Sequence, residues 1–409
     1  MNLRPLMVIG GGIGIGVFLF SIFHKDPATV KLEEARQYAT GDGVSKDFTK
    51  AEQLFSEASK AGKEEANGEL TTLYFNHGIE LLSETDLTQV KTGATYLLKA
   101  AERDNHDAEQ KVAECYATGK GVSQDYSNAF KWYKEASDAG NSSAKWELAL
   151  LYKNGYGTPQ SYSKAAEIFE QLKGSNVNAK VELGELYFAG LGVTKDVVKA
   201  TILYKDAANV YSTMTDRTPT DSYNFALLLS DGKGIAKDEI RARKLYQVAA
   251  DEGYEGAMNN LGVMFSRGVG GKQDAKQAYK YYLMAAKAGD VVGMYNCGLK
   301  QITGVGTEIN PKSAYKNIST AASSGFVPAM RIQSQMLIKG EGTTKNTKAG
   351  LQILNRAITL NDNEAMYDLA IKYYYGENIS KSESKAKMLF KKAAALGNTD
   401  AKKALDIIN

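Results

Sequence analysis

Few residues in this 409-residue sequence are of the kinds that do covalent or metal chemistry. The three histidines are His24, His77 and His106, so a Ser/His/Asp arrangement or a histidine-rich metal site has almost no raw material. His77 and His106, with Asp107 and Glu109, crowd into one irregular region, which makes that region the one candidate metal cluster. The cysteines Cys115 and Cys297 lie 182 residues apart, which gives neither metal-ligand spacing nor a disulfide framework. Helices pack roughly 8–10 Å apart and a disulfide needs Cα atoms within about 7 Å, so two buried, inert thiols are expected. The recurring Gly-x-Gly pairs have the composition of phosphate cradles, but their recurrence between two helical stretches points to turn geometry. No catalytic residue, metal site or cofactor is therefore expected, and the chain is read as a non-enzyme.

Charge narrows the partner classes. Fifty Lys plus Arg face 47 Asp plus Glu, a formal net charge of +3, and no block of like charge is long enough for a nucleic-acid footprint. The most basic stretch, with Lys381, Lys385, Lys387, Lys391, Lys392, Lys402 and Lys403, is diluted by Glu383 and Asp400 and reads as a solvated helix face.

The elements that carry these residues repeat. Gly-x-Gly stands at Gly41/Gly43, Gly119/Gly121, Gly155/Gly157, Gly190/Gly192, Gly232/Gly234, Gly268/Gly270, Gly304/Gly306 and Gly340/Gly342, with Gly376-Glu377-Asn378 as a degenerate copy. The second position recurs every 36 residues apart from intervals of 35, 42 and 78. The long interval implies a divergent second repeat at 66–107, with Asn76-His77-Gly78 as its turn, and the interval of 42 implies an insertion at 209–220. Four residues after the second turn position stand Asp47, Asp125, Ser161, Asp196, Asp238, Asp274, Asn310, Asn346 and Ser382, all types that cap a helix N-terminus. Two rows of small residues follow, Ala51 to Ala386 and Ala58 to Ala393, spaced by two helical turns and so on one face. The second helix is expected to end at Gly62, Gly140, Asn176, Gly253, Gly289, Gly325, Asn361 and Gly397, types that tolerate the left-handed conformation. Each unit is an αα-hairpin, and about ten units cover residues 30–400.

The copies AEQKVAECYATGKGVSQDYSNAFKWYKEASDAG and AMNNLGVMFSRGVGGKQDAKQAYKYYLMAAKAG, from Ala108 to Gly140 and Ala257 to Gly289, resemble Sel1-like repeats, tetratricopeptide-related hairpins with a glycine-bearing turn. The resemblance implies an all-α fold, a right-handed α-solenoid superhelix that acts mainly as a protein–protein adaptor. It further implies a concave surface lined by the first helices. By analogy with tetratricopeptide grooves the third residue of each first helix points inward, a row of Gln110, Trp146, Val181, Tyr223, Asn259, Tyr295, Arg331 and Tyr367. Trp146, Tyr223, Asn259, Tyr295, Arg331 and Tyr367 are the candidate partner-binding residues, Arg331 for an acidic group. The competing reading is that these aromatics only pack between repeats. The expected function is a scaffold for a protein partner, with no nucleic acid or small-molecule substrate. An enzyme or regulator acting on cell-wall or glycan material and a structural subunit of a membrane machine are the alternatives.

At the N-terminus, Leu6 to Phe23 carries no charge and is just long enough to span a bilayer as a helix, with no small-x-small cleavage site after it. Residues 1–25 are therefore expected to form a transmembrane anchor, 26–403 the solenoid and 404–409 a tail. Arg4 against Lys25, Lys31 and Arg36 leaves the positive-inside rule nearly balanced. A single-pass membrane protein with a periplasmic or lumenal repeat domain is the expectation, with a cytoplasmic orientation as the other possibility.

Overall fold

A computed structural model describes residues 26–408, and every regular element among them is an α-helix. Helices α1 (Pro27–Thr40) and α2 (Phe48–Lys60), α3 (Glu64–Leu82) and α4 (Leu87–Ala101), and α5 (His106–Thr118) and α6 (Tyr126–Asp138) form the first three hairpins. Next come α7 (Ser142–Asn154) with α8 (Tyr162–Leu172), α9 (Val177–Ala189) with α10 (Val197–Thr213), and α11 (Pro219–Asp231) with α12 (Glu239–Asp251). Then follow α13 (Glu255–Arg267) with α14 (Ala275–Ala288), and α15 (Val291–Thr303) with α16 (Pro311–Ser323). The last hairpins pair α17 (Val327–Lys339) with α18 (Thr347–Thr359) and α19 (Asn363–Tyr375) with α20 (Glu383–Ala395). A single helix, α21 (Thr399–Ile408), packs on α20 and occupies most of the stretch expected as a tail.

The turn inside each hairpin is built by two glycines and a cap. The first glycine ends the first helix in the left-handed conformation, as Gly155 does at φ +73°. The cap residue then works twice. Its side chain accepts from the free N–H groups of the second helix at Asp47, Asp125, Ser161, Asp238, Asp274, Asn310, Asn346 and Ser382. Its own N–H donates at 2.8–2.9 Å to a carbonyl near the end of the first helix, from Asp47 to Tyr38 through to Ser382 to Tyr373, in all nine turns.

The second glycine of the pair holds neighbouring hairpins together. A Cβ on Gly157 would lie 1.9 Å from the Tyr126 carbonyl oxygen, at the start of the preceding second helix. On Gly342 it would lie 2.0 Å from that of Pro311. Gly43, in the first hairpin, meets nothing within 4 Å. The recurrence of this glycine is thus the signature of stacking as much as of turning. The small-residue rows lie where expected: Ala51, Ala129, Ala165, Ala200, Ala242, Ala278, Ala314 and Ala386 are all fully buried. Trp132, Phe169, Tyr204, Tyr246 and Tyr282 fill the space beside them.

The structure corrects two details of the sequence reading. Asn76-His77-Gly78 is no turn; it lies inside α3, which at 19 residues is longer than the 13 of α5 and α7. A four-residue connector, 83–86, replaces the Gly-x-Gly turn, and Asp86 caps α4 by accepting from Thr88 and Gln89. Gly78 instead allows a close helix crossing, since a Cβ there would lie 2.8 Å from Leu97 Cγ and one on Gly93 would lie 2.8 Å from the Gly78 carbonyl oxygen. Asn176 does not end a helix; at φ −125° it caps the N-terminus of α9. The 209–220 insertion is largely helix: α10 runs 17 residues, and a Thr218/Asp221 capping box starts α11.

By packing, the chain divides into two units, one up to Ala179 together with Glu185–Asp196 and the other Lys180–Gly184 with Val197 onward. The expectation of a single-pass membrane protein is also corrected. Among the described residues no helix is long and apolar enough to cross a membrane, and Leu6 to Phe23, on which the expectation rested, lies outside them. The single-pass assignment and the periplasmic or lumenal placement are withdrawn.

Candidate protein-binding face

The row read from the sequence is in uniform register, two positions further along each helix than expected. Gln110, Trp146, Val181, Tyr223, Asn259, Tyr295, Arg331 and Tyr367 are each the fifth residue of a first helix, because every such helix starts two residues earlier than expected. Position 403 continues the row 36 residues beyond Tyr367, so Lys403 of α21 belongs to it. All members from Trp146 to Tyr367 are half-buried except Val181, which is buried.

In the first unit, Trp146 leans on Phe169 of its own hairpin with ring centroids 5.5 Å apart. Gln110 donates to Glu114 at 3.0 Å and accepts from Asn141 at 3.0 Å. In the second unit the row divides by use. Asn259 accepts from Asn296 of the next first helix at 2.9 Å. Tyr295 packs edge-on against Phe326 at 5.3 Å. The Arg331 guanidinium, expected to await an acidic group, donates to Glu364 at 3.1 Å and so is engaged within the chain.

Two members line open recesses. Tyr223 contacts Tyr246 at 5.7 Å and Tyr254 at 4.6 Å, and with Tyr254, Gly253, Glu255 and Gly256 it walls a recess of about 430 Å³. Burial and the charge of Asp290 push the Glu255 carboxyl above its ordinary pKa. Tyr367, against Phe390 at 5.7 Å, opens onto a slot of about 290 Å³ between α19 and α21. Asn259, Tyr295 and Arg331 are thus engaged within the chain, while Tyr223 and Tyr367 each border an open recess.

The sequence reading missed Tyr254, Tyr375 and the first-unit slot. That slot, about 340 Å³, lies between α1 and α3 over Phe48, Phe55 and Leu73. Its rim carries Arg36–Glu69 and Lys46–Glu80 ion pairs, and the His77 ring stacks on Phe48 at 3.9 Å. His106 sits with Glu109 at 3.1 Å, and among the described residues no three metal-ligating side chains converge. Cys115 and Cys297 are free and buried, and burial pushes each thiol up to about 11.

The Sel1 repeat matches at residues 35–63, 106–141, 142–172, 177–209, 223–254, 256–290, 291–326, 334–362 and 363–398, more than half of the chain. The chain belongs to the Sel1 repeat family. The matched segments pass over 64–105, the hairpin of α3 and α4. Protein sel-1 homolog 2 of Homo sapiens is 36% identical over 75 residues, 18% of this chain and 10% of that protein. The Mus musculus protein of the same name is 36% identical over 77 residues, and this chain matches only about a tenth of the length of either. Among solved structures, c5321, a protective antigen of uropathogenic Escherichia coli strains with an SLR fold, aligns at a TM-score of 0.56 and 23% identity, over 93% of this chain and 79% of that one. A chain of the APC/C hetero-tetramer Cut9-Hcn1 aligns at 0.52 and 13% identity, over 93% and 75%. These two likenesses concern the fold. Sel1 and tetratricopeptide-like repeat folds generally mediate protein–protein interaction, and Sel1-repeat scaffold proteins are generally non-enzymatic.

Proposed function

We propose that this chain is an interaction scaffold that holds a protein partner on the first-helix face of its second unit, with Tyr223 and Tyr367 as anchors. The observation that carries this reading is the pair of aromatic-walled recesses, at Tyr223–Tyr254 and at Tyr367, on a row whose members Asn259, Tyr295 and Arg331 are engaged with neighbouring hairpins. Tyrosines that present a ring and a hydroxyl at a concave site bury much area at low entropic cost, which is why they recur as interface anchors. Asn259, Tyr295 and Arg331 act in this reading by fixing the face, Arg331 through Glu364.

The test is comparative recovery of partners by the full chain. Tyr223→Ser with Tyr367→Ser is expected to lower recovery of a specific partner at least about tenfold. An Ile240→Ser variant on the second-helix side is expected to behave as wild type. Unchanged recovery by a double variant with a native melting profile contradicts the proposal. A glycan-directed or purely structural role predicts that same unchanged recovery.

A further inference from the structure

The end of the second unit combines an unfilled aromatic slot with the most basic stretch of the chain. Tyr367, Ile371, Tyr374, Tyr375, Phe390 and Ile407 line the slot, and Lys403 and Asp400 stand at its mouth. Its apolar walls are left in the open: Tyr375 is 65% exposed and Ile407 83%. Singly exposed apolar residues are ordinary, but two that wall the same cavity form a patch.

Positive charge is in excess in the stretch beside it, although the helices that form the slot also carry Asp368 and Asp406. From 381 to 403 stand the seven lysines Lys381, Lys385, Lys387, Lys391, Lys392, Lys402 and Lys403 against Glu383 and Asp400. Both acids are already taken, Glu383 by Lys381 at 3.0 Å and Asp400 by Lys403 at 2.9 Å. The Lys381 ammonium lies over the Tyr374 ring, 5.8 Å from its centroid, so a cation borders the aromatic wall. An excess of exposed cations beside an open apolar slot draws an anionic segment and gives its apolar side chain a seat.

We infer that the slot between α19 and α21 docks an acidic peptide segment of a protein partner, with one aromatic or large aliphatic side chain inserted beside Tyr367, Tyr374 and Tyr375. The inference rests on the proposed use of the first-helix face and adds the chemistry of what binds there. Lys403, one period beyond Tyr367, supplies the cation nearest the seat. The other lysines act through the field, which a Debye length of about 10 Å at 0.1 M salt confines to this end of the unit.

The experiment uses the full chain and three fluorescein-labelled 14-residue peptides, read by anisotropy. The first carries Glu and Asp around a central Phe-x-x-Leu, the second has Lys at each acidic position, and the third has Ser in place of Phe and Leu. Binding of the first at least about tenfold tighter than of either other is expected, weakening several-fold as salt rises from about 50 to about 300 mM. Tyr375→Ser with Ile407→Ser, both exposed enough to leave the melting profile intact, is expected to lower that affinity at least about tenfold.

Equal binding of acidic and basic peptides, binding indifferent to the double variant, or no binding up to millimolar concentration overturns the inference. So does concentration-dependent self-association in sedimentation velocity that the double variant abolishes, which makes a second copy the occupant. Adhesion to phosphatidylglycerol vesicles, lost in the same variant and unmatched by peptide binding, makes the occupant a lipid surface and equally overturns it. If the peptide arm fails while Tyr223→Ser alone still lowers partner recovery, this slot is wrong and the proposed scaffold role stands. If both fail, both are wrong.

Discussion

The Cβ that glycine lacks decides whether neighbouring hairpins seat. Gly43 and Gly342 hold the same left-handed backbone, at φ +72° and +70°, so alanine costs about 1–2 kcal/mol of conformational strain at either. At Gly342 the added methyl also meets the Pro311 carbonyl oxygen at 2.0 Å, where backbone has to move. Gly342→Ala is therefore expected to destabilise by a further 1–3 kcal/mol or about that, and to broaden the thermal transition, while Gly43→Ala is not. Differential scanning calorimetry of the two variants compares them directly. A cap gives a smaller, local effect: Asn346→Ala is expected to cost about 1 kcal/mol through the lost acceptor for the Ala349 N–H.

Glu147 offers a pH test at the same scale. Burial, with Glu114 adding like charge, raises its carboxyl from 4.5 to about 6. Its folded pKa lies above its unfolded one, so the folded state binds the proton more tightly. The stabilising contribution is full below about pH 4.5 and is lost as pH rises through about 6. Glu147→Gln is thus expected to gain up to about 2 kcal/mol at pH 7.5 and nothing at pH 4, read from urea midpoints. A flat difference across that range removes the burial argument. These residue-level roles were legible in the sequence where one position does one job in every copy, as the caps do from Asp47 to Ser382. They were illegible where one residue type serves two ends. Asn176 read as a helix exit because asparagine tolerates left-handed backbone, yet it caps the next helix with its side chain.

At the scale of the element, α3 shows how composition misleads. Asn76-His77-Gly78 has the residues of a turn, and no local signal separates a glycine that turns a chain from one that lets helices cross. Its use emerges only when Gly78 meets Gly93 of α4. Gly78→Val is accordingly expected to push α3 from α4 and lower the melting temperature by several degrees, whereas Gly68→Val, with nothing within 4 Å, leaves it unchanged to within a degree or about that. The exit of the same hairpin survived divergence by substitution. Asp104 takes the left-handed conformation at φ +59°, and Asn105 donates to the Ala100 carbonyl as Lys63 donates to Ala58. The buried thiols report on hairpin opening. With pKa values near 11 and exposures of only 4% and 0%, Cys115 and Cys297 are expected to resist thiol reagents at neutral pH until their own hairpins open. Mass spectrometry of pulsed alkylation along a urea series follows the two cysteines separately, and rapid labelling of either in the native protein contradicts their burial.

For the whole molecule, the period announced the hairpins but not the packing units. Two of its breaks, the intervals of 35 and 42 on either side of Gly192, lie beside the boundary at α9, yet spacing alone does not divide the hairpins there, because each copy specifies its nearest neighbours and the packing units emerge from the sum of those contacts. Nor did the spacing tell which aromatics face open space. Tyr295 and Tyr367 occupy the same position of their helices, yet Phe326 covers one ring and a slot lies beside the other. That difference lies in the neighbouring hairpin and decides the candidate site. A photo-crosslinking amino acid placed singly at Tyr223, at Tyr367, and at the exposed second-helix positions Val198, Ile240 and Met388 tests the partner face most directly. The same partner protein captured from 223 and 367 and from none of the other three is the expected result. Capture from the second-helix positions alone, or capture no greater at 223 and 367 than at them, contradicts it.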